Sequence, residues 1–147
     1  MSLPPTTSLP KRVRIVDVGP RDGLQNEKAV VPTDVKVALI ERLADAGVTN
    51  VESTSFVSPK WVPQMADAAD VMARIRRQAG VVYSVLVPNM KGFEGALAAR
   101  ADEAVVFGAA SEAFSQKNIN CSIAESIERF RPVVVAARAA GMHVRGA

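Results

Sequence analysis

Short runs of β-branched residues alternate with longer stretches of helical periodicity along most of this chain. The runs begin near residues 13, 48, 81, 104 and 142, and the stretches between them carry apolar residues every three or four positions. This alternation is typical of βαβ units and a parallel sheet. The mean spacing of the runs is about 32 residues, which suits the ~31-residue unit of a (β/α)8 barrel slightly better than an open doubly wound sheet. The pattern therefore predicts an α/β fold.

The predicted strands are 13–18, 48–54, 81–87 and 104–107, and a fifth begins at 142. Two further segments are predicted to lie outside the strands and helices. Residues 1–10 hold three prolines and several Ser and Thr residues, which predicts a mobile N-terminal tail. Residues 111–120 are mostly polar and are predicted to be a loop. Residues 11–147 are then predicted to form one folded unit.

Capping residues mark the starts of the predicted helices. Asn89 is placed to cap a short helix, and Ser122 with Glu125 has the spacing of a capping box. Pro132 lies inside the helix that follows this box and is expected to kink or split it. A first helix is predicted to begin with Thr33 as its cap. Its apolar positions, which should form the buried face, are Val35, Leu39, Leu43 and Ala46.

Composition narrows the possible partners. The chain has 18 Lys and Arg against 15 Asp and Glu, and the basic residues are scattered, so nothing favours nucleic-acid binding. No window approaches the ~18 apolar residues of a membrane span, and the first residues lack an apolar leader. The single cysteine, Cys121, fits a reducing compartment. We therefore expect a cytoplasmic protein that contacts neither membranes nor nucleic acid.

Polar side chains follow the predicted strands at the edge where parallel α/β folds place their active sites. Arg21, Asp22 and Gln25 follow the first strand, and Glu52 and Ser55 follow the second. The carboxylate of Asp22 is a hard oxygen ligand suited to Mg²⁺ or Mn²⁺, and the guanidinium of Arg21 can stabilise an enolate oxygen. The first turn has no G-x-G-x-x-G pattern, which argues against a dinucleotide fold.

A plainer interpretation of these residues stays open. An adjacent Arg21–Asp22 pair can simply be a loop ion pair of little energetic value. Glu52 is harder to explain in this way, because a carboxylate in an otherwise buried strand needs a partner, and Arg21 could supply one. His143 and Cys121 are each more typical of ordinary strand or packing residues than of ligands.

Five longer motifs, in this order, resemble those of the HMG-CoA lyase family, and the resemblance runs from about residue 13 to 147. They are VGPRDGLQNE at 18–27, TSFVSPKWVPQM at 54–65, PNMKGFE at 88–94, FGAASE at 107–112 and KNINCS at 117–122. The resemblance implies a (β/α)8 TIM barrel, of which this chain supplies the first four to five units as the N-terminal half. It also implies retro-Claisen cleavage of 3-hydroxy-3-methylglutaryl-CoA (HMG-CoA) to acetyl-CoA and acetoacetate, a step of leucine degradation and ketone-body metabolism.

The resemblance implies a role for several positions. Asp22 matches a ligand of a divalent metal, Mg²⁺ or Mn²⁺, and Arg21 matches the arginine that stabilises the enolate. Glu52 matches a carboxylate that supports this arginine, and Gln25 lies within its reach. The positions that match the surroundings of the acyl-CoA are Ser55, Lys28 and Asn118.

The family completes its metal site with a His-x-His motif and an asparagine, and it protonates the product from a cysteine on a glycine-rich loop. Neither His143 nor Cys121 matches those positions. We therefore expect the isolated 147-residue chain to be catalytically silent. Its first and last strands would be open edges of a parallel sheet, so we also expect it to self-associate, as a homodimer of two half-barrels or by aggregation. Two alternatives remain, namely another acyl-CoA aldolase or Claisen condensing enzyme on the same barrel, or an inactive half-barrel.

Overall fold

The computed structural model describes residues 10–147, so the predicted tail at 1–10 lies outside these residues except for Pro10. Four parallel strands form one sheet in the order β1-β2-β3-β4. The strands are β1 at Asn50–Ser55, β2 at Val82–Leu86, β3 at Glu103–Val106 and β4 at His143–Gly146.

Within residues 10–147, five α-helices accompany the sheet. They are α1 at Thr33–Asp45, α2 at Ala68–Arg74, α3 at Met90–Ala98, α4 at Glu112–Ile119 and α5 at Ile123–Ala139. Two short turns precede α1 and α2, a π-helical turn at Gly19–Gly23 and a 3-10 turn at Pro63–Met65.

The order of the strands distinguishes between the two parallel architectures. Neighbouring strands are consecutive in the chain, and each pair is connected through at least one helix. An open doubly wound sheet reverses its strand order at a switch point, whereas a barrel adds its strands in sequence. The described residues therefore form part of a (β/α)8 barrel, with four parallel strands. Their core lies between the sheet and the helices, around Ile40, Val51, Val71, Tyr83, Val85, Phe93 and Val133.

The first predicted strand, 13–18, is wrong as a strand. Only Asp17 pairs with β1, where its amide donates to Asn50 O at 2.9 Å and its carbonyl accepts from Glu52 N at 2.8 Å. Val13 and Ile15 are each 75% exposed, so no packing supports a longer pairing. The other four strands are confirmed to within two residues at their starts.

The predicted caps of α3 and α5 are confirmed. The Asn89 side chain accepts from Gly92 N at 3.0 Å, and Ser122 Oγ accepts from Glu125 N at 3.1 Å. The Glu125 carboxylate accepts from Ser122 N at 2.7 Å, which completes the capping box. This backbone bond, assisted by the Ser122 hydroxyl, lowers the pKa of Glu125.

Helix α1 begins where expected, but its details differ. The Thr33 hydroxyl does not cap the helix and instead donates to Asp67 Oδ2 at 2.7 Å. The buried face is shifted by one position from the predicted one and consists of Lys36, Ile40 and Ala44, whereas Val35 is exposed. The shift arises because a paired lysine occupies the inner face, where an apolar pattern cannot reveal it.

Two expectations about the last unit are also wrong. The polar segment predicted as a loop forms helix α4, which begins at an N-cap bond from Phe114 N to Ser111 Oγ of 3.3 Å. Pro132 does not split α5, which is one helix from Ile123 to Ala139. Packing of Phe130 and Val133 on either side of the proline supports the helix across the missing hydrogen bond.

Candidate active site

The π-helical turn presents two consecutive charged residues beside β1. The carbonyl of Val18 accepts three amides, from Arg21 at 3.2 Å, Asp22 at 2.8 Å and Gly23 at 3.3 Å. One acceptor thus fixes the backbone of three residues in succession. The turn begins two residues after Asp17, the residue that pairs with β1, so both charged side chains begin close to the sheet.

Arg21 is bonded to Glu52 in the interior of the protein. Its Nε donates to Glu52 Oε1 at 2.5 Å, and its Nη1 donates to Asp22 Oδ1 at 2.9 Å. The Glu52 side chain is 1% exposed and lies within β1, not at its end. The expectation that a buried Glu52 needs a partner, and that Arg21 could supply it, agrees with this geometry.

A second arginine completes the environment of Glu52. Arg145 of β4 donates from Nη2 to Glu52 Oε2 at 2.5 Å and from Nε to Glu103 Oε1 at 3.0 Å. Arg14 Nη2 lies 3.7 Å from Glu103 Oε2. The six groups form a row in which acid and base alternate, from Asp22 at one end to Arg14 at the other. We call this the charge row, and its members in order are Asp22, Arg21, Glu52, Arg145, Glu103 and Arg14.

Arg145 and Glu103 were not among the residues predicted for the site. A weak signal was present, because Arg145 is a charged residue in the predicted last strand and Glu103 immediately precedes the predicted strand 104–107. Burial, the largest effect, lowers the pKa of Arg145, but its hydrogen bonds to Glu52 and Glu103 outweigh burial and raise the pKa overall. Arg145 is therefore a fixed positive charge between two buried carboxylates.

Asp22 is the exposed end of the charge row, with 57% of its side chain accessible. Its carboxylate fits a divalent cation as one ligand, yet residues 10–147 contain no group of three or more His, Cys, Asp or Glu placed to hold one. Asn26, not Gln25, bonds to this residue, through Asp22 O at 2.7 Å. His143 is exposed on β4, and Cys121 is buried.

The residues expected near an acyl-CoA do not lie together in one cluster. Gln25 and Lys28 line a small pocket of about 280 Å³ together with Trp61. Ser55 is fully buried, and its hydroxyl has no hydrogen-bond partner among the described residues. Asn118 is exposed on α4 and has no hydrogen bond to the charge row within residues 10–147.

Sequential parallel strands connected through helices define part of a (β/α)8 barrel, in which the Arg21–Glu52 pair lies beside an exposed aspartate. The family model described as HMGL-like matches residues 12–147, and the chain belongs to that family. Over 139 residues it is 63% identical to the mitochondrial hydroxymethylglutaryl-CoA lyase of Rattus norvegicus. The aligned region is 95% of this chain and 43% of that protein. The chain thus spans less than half the length of the curated relatives it matches.

Solved structures agree with this assignment. Hydroxymethylglutaryl-CoA lyase from Pseudomonas aeruginosa superimposes with a TM-score of 0.90 at 59% identity, over 94% of this chain and 46% of that one. An HMG-CoA lyase from Acinetobacter baumannii, solved in complex with coenzyme A and 3-methylmalate, has a TM-score of 0.84 at 36% identity. The superimposed region is 89% of this chain and 43% of that chain. The predicted TIM-barrel fold class is confirmed.

The expected cytoplasmic location is wrong as an inference. The rat relative is mitochondrial, whereas a relative from Mus musculus is cytoplasmic. The mouse protein is 60% identical over 138 residues, which are 94% of this chain and 40% of that protein. Relatives that share this sequence pattern thus occupy two compartments, so the pattern does not decide between them. Within the described residues, no helix is both long and apolar enough to span a membrane.

The charge row predicts the effect of removing its central cation. Arg145→Met should lower the free energy of unfolding by about 3–5 kcal/mol, because two buried carboxylates would lose the charge between them. Urea unfolding measures the change. Arg76→Met is the matched control, since Arg76 pairs with Asp45 at 3.1 Å and both side chains are more than half exposed, where such pairs contribute little. Equal losses in the two variants would contradict this account of Arg145.

Proposed function

We propose that this protein cleaves HMG-CoA to acetyl-CoA and acetoacetate. The observation that carries the proposal is the Arg21–Glu52 pair beside Asp22, in a chain of the HMGL-like family. The pair fixes a permanent positive charge at the edge of the sheet, and the aspartate next to it is accessible. A carbon–carbon cleavage that leaves a negative charge on an oxygen needs such a cation.

The chemistry is a retro-Claisen reaction. The tertiary hydroxyl of the substrate gives its proton to a base and becomes the ketone of acetoacetate, while the electron pair of the broken carbon–carbon bond passes to the acetyl-CoA enolate. The enolate carbon then takes a proton from an acid to give acetyl-CoA, so that no proton is gained or lost overall. Arg21 Nε is committed to Glu52 and Nη1 to Asp22, and Nη2 has no hydrogen bond within residues 10–147. We assign Nη2 to the enolate oxygen, whose charge develops only in the transition state.

We further propose that Asp22 is one ligand of a divalent cation, Mg²⁺ or Mn²⁺, because carboxylate oxygens are the ligands these ions prefer. When bound, such a cation supplies Lewis-acid stabilisation of negative charge on substrate oxygens. The accessible Asp22 carboxylate is compatible with this role. Its bond from Arg21 also holds it in a defined direction.

The acyl-CoA substrate is proposed to contact Lys28, Ser55 and Asn118, with Gln25 near the reacting groups. Lys28 is exposed and can approach an anionic group, and coenzyme A is bound in the solved relative from Acinetobacter baumannii. The buried hydroxyl of Ser55 lacks a partner within the described residues, so it could accept or donate one hydrogen bond without losing another.

A cleavage assay tests the proposed function. HMG-CoA should be converted to acetyl-CoA and acetoacetate in the presence of Mg²⁺ by a longer form of the protein, whereas we expect the 147-residue chain alone to be inactive. Consumption of a keto acid with acetyl-CoA instead would indicate a Claisen condensing enzyme. A longer form without either activity would indicate a half-barrel that only folds or associates.

Arg21→Gln should lower kcat by ~10²–10³-fold with a modest change in KM, because the lost charge acts on the transition state. Steady-state kinetics on the active form of the protein measure both parameters. Arg12→Gln is the control, since Arg12 is an exposed arginine outside the charge row. An unchanged kcat in Arg21→Gln would refute the assigned role.

Asp22→Ala should raise the metal concentration needed for half-maximal activity, because a protein oxygen ligand is removed. Titration with Mg²⁺ and with Mn²⁺ measures this requirement. Asp34→Ala removes a carboxylate with 78% of its side chain exposed on α1 and should leave the requirement unchanged. If Asp22→Ala behaved like this control, Asp22 would be a structural residue.

We also propose that two copies of the 147-residue chain pair through the exposed apolar side of α5. A groove of about 930 Å³ lies between α5 and the ends of β3 and β4, and Ile127 and Val135 beside it are 58% and 63% exposed. Exposed apolar surfaces of this kind favour association. Light scattering should show a dimer that Val135→Lys weakens and that Val35→Lys, at an exposed valine of α1, does not. A monomeric parent chain would contradict the pairing.

A further inference from the structure

The segment between the π-helical turn and α1 is held by the side chain of one residue, Gln64. Gln64 Oε1 accepts from Val31 N at 2.8 Å, and its Nε2 donates to Ala29 O at 2.8 Å and to Glu27 O at 3.4 Å. These three bonds reach the backbone on both sides of Lys28. Gln64 itself is 5% exposed, so the bonds are largely protected from water.

Gln64 is in turn fixed by a buried lysine. Lys36 Nζ, whose side chain is 4% exposed, donates to the carbonyl of Gln64 and to Asp67 Oδ1, the latter at 2.7 Å. The other oxygen of Asp67 accepts from the Thr33 hydroxyl. The backbone around Gln64 is therefore held against α1. The Gln64 side chain in turn holds the segment that carries Lys28, through its hydrogen bonds to that segment's backbone.

We propose that Gln64 is a positioning residue that holds Lys28 at the pocket shared with Trp61 and so sets the affinity for the anionic coenzyme A part of the substrate. This inference rests on the proposed function, because it takes Lys28 as a contact of the acyl-CoA. It assigns to Gln64 a role that the motif containing it does not reveal.

Holding Lys28 in place before binding avoids an entropy cost of ordering its segment. Residues 27–31 belong to no helix or strand, and Lys28 is exposed. Without the bonds from Gln64, this segment would have to be ordered when the ligand binds, and binding would become weaker by the cost of that ordering. The cost is the same in the ground state and the transition state, so it changes KM and not kcat.

Gln64→Met tests the proposal in the 147-residue chain with coenzyme A as the probe. Trp61 is the only tryptophan, lies in the same pocket, and its emission reports binding. Hydrogen exchange at the Val31 amide should become faster, because its acceptor is removed. The dissociation constant for coenzyme A should rise about three- to tenfold. In the active form, KM should rise by a similar factor at unchanged kcat.

Two further variants separate positioning from folding. Gln64→Asn keeps both amide functions on a side chain one methylene shorter, so it weakens the three bonds without adding a charge, and its affinity should lie between those of the parent and Gln64→Met. It decides the question if Gln64→Met fails to fold. Gln78→Met is the matched control, since Gln78 donates to Asp45 at 2.6 Å at the opposite ends of the strands and should leave coenzyme A binding unchanged.

The outcomes distinguish the inference from the function on which it rests. If the parent binds coenzyme A and both Gln64 variants bind it equally well, the positioning role is overturned and the proposed function stands. If the parent chain and the active form both fail to bind coenzyme A, the proposed function fails, and the role of Gln64 fails with it. Faster exchange at Val31 together with weaker binding supports the role. A fall in kcat at constant KM contradicts it.

Discussion

The buried carboxylate of Glu52 is the constraint around which the candidate site is arranged. An ionised carboxylate inside a sheet is costly unless charged partners surround it, and here each oxygen bonds to a different arginine. One arginine comes from the turn before α1 and the other from β4. A single buried charge therefore connects the beginning of the chain to its last strand and fixes the direction of the Arg21 guanidinium.

Local features of the fold were predictable from the sequence because they depend on neighbouring residues. β-branched runs located four strands, and the caps at Asn89 and Ser122 marked the starts of α3 and α5. The predicted strand at 13–18 was wrong because β propensity alone does not supply a partner, and only Asp17 has one. Helix α4 was missed because its polar sequence hides a helix that buries little besides Ser115.

The site was predictable in part for a similar reason. Arg21, Asp22 and Glu52 stand out because their motifs place charges after or within strands, and the Arg21–Glu52 contact could be anticipated from the cost of burying a carboxylate. Arg145 lies 93 positions from Glu52 in sequence, and no local pattern reports a pairing over that separation. The burial of Lys36 was not predicted for a related reason, because it depends on Gln64 and Asp67 in another unit of the fold.

The difference in exposure between the ends and the centre of the charge row makes its response to ionic strength uneven. Dissolved ions screen exposed charges strongly and buried ones weakly. Asp22, with 57% of its side chain exposed, and Arg14, with 55%, are the two ends, and Glu52 at the centre is 1% exposed. Added salt would weaken the ion pairs of Asp22 and Arg14, while the hydrogen bond between Arg21 and Glu52 would persist. Asp22, the proposed metal ligand, is thus the salt-sensitive end of the charge row, and the neighbouring Arg21 guanidinium keeps its orientation.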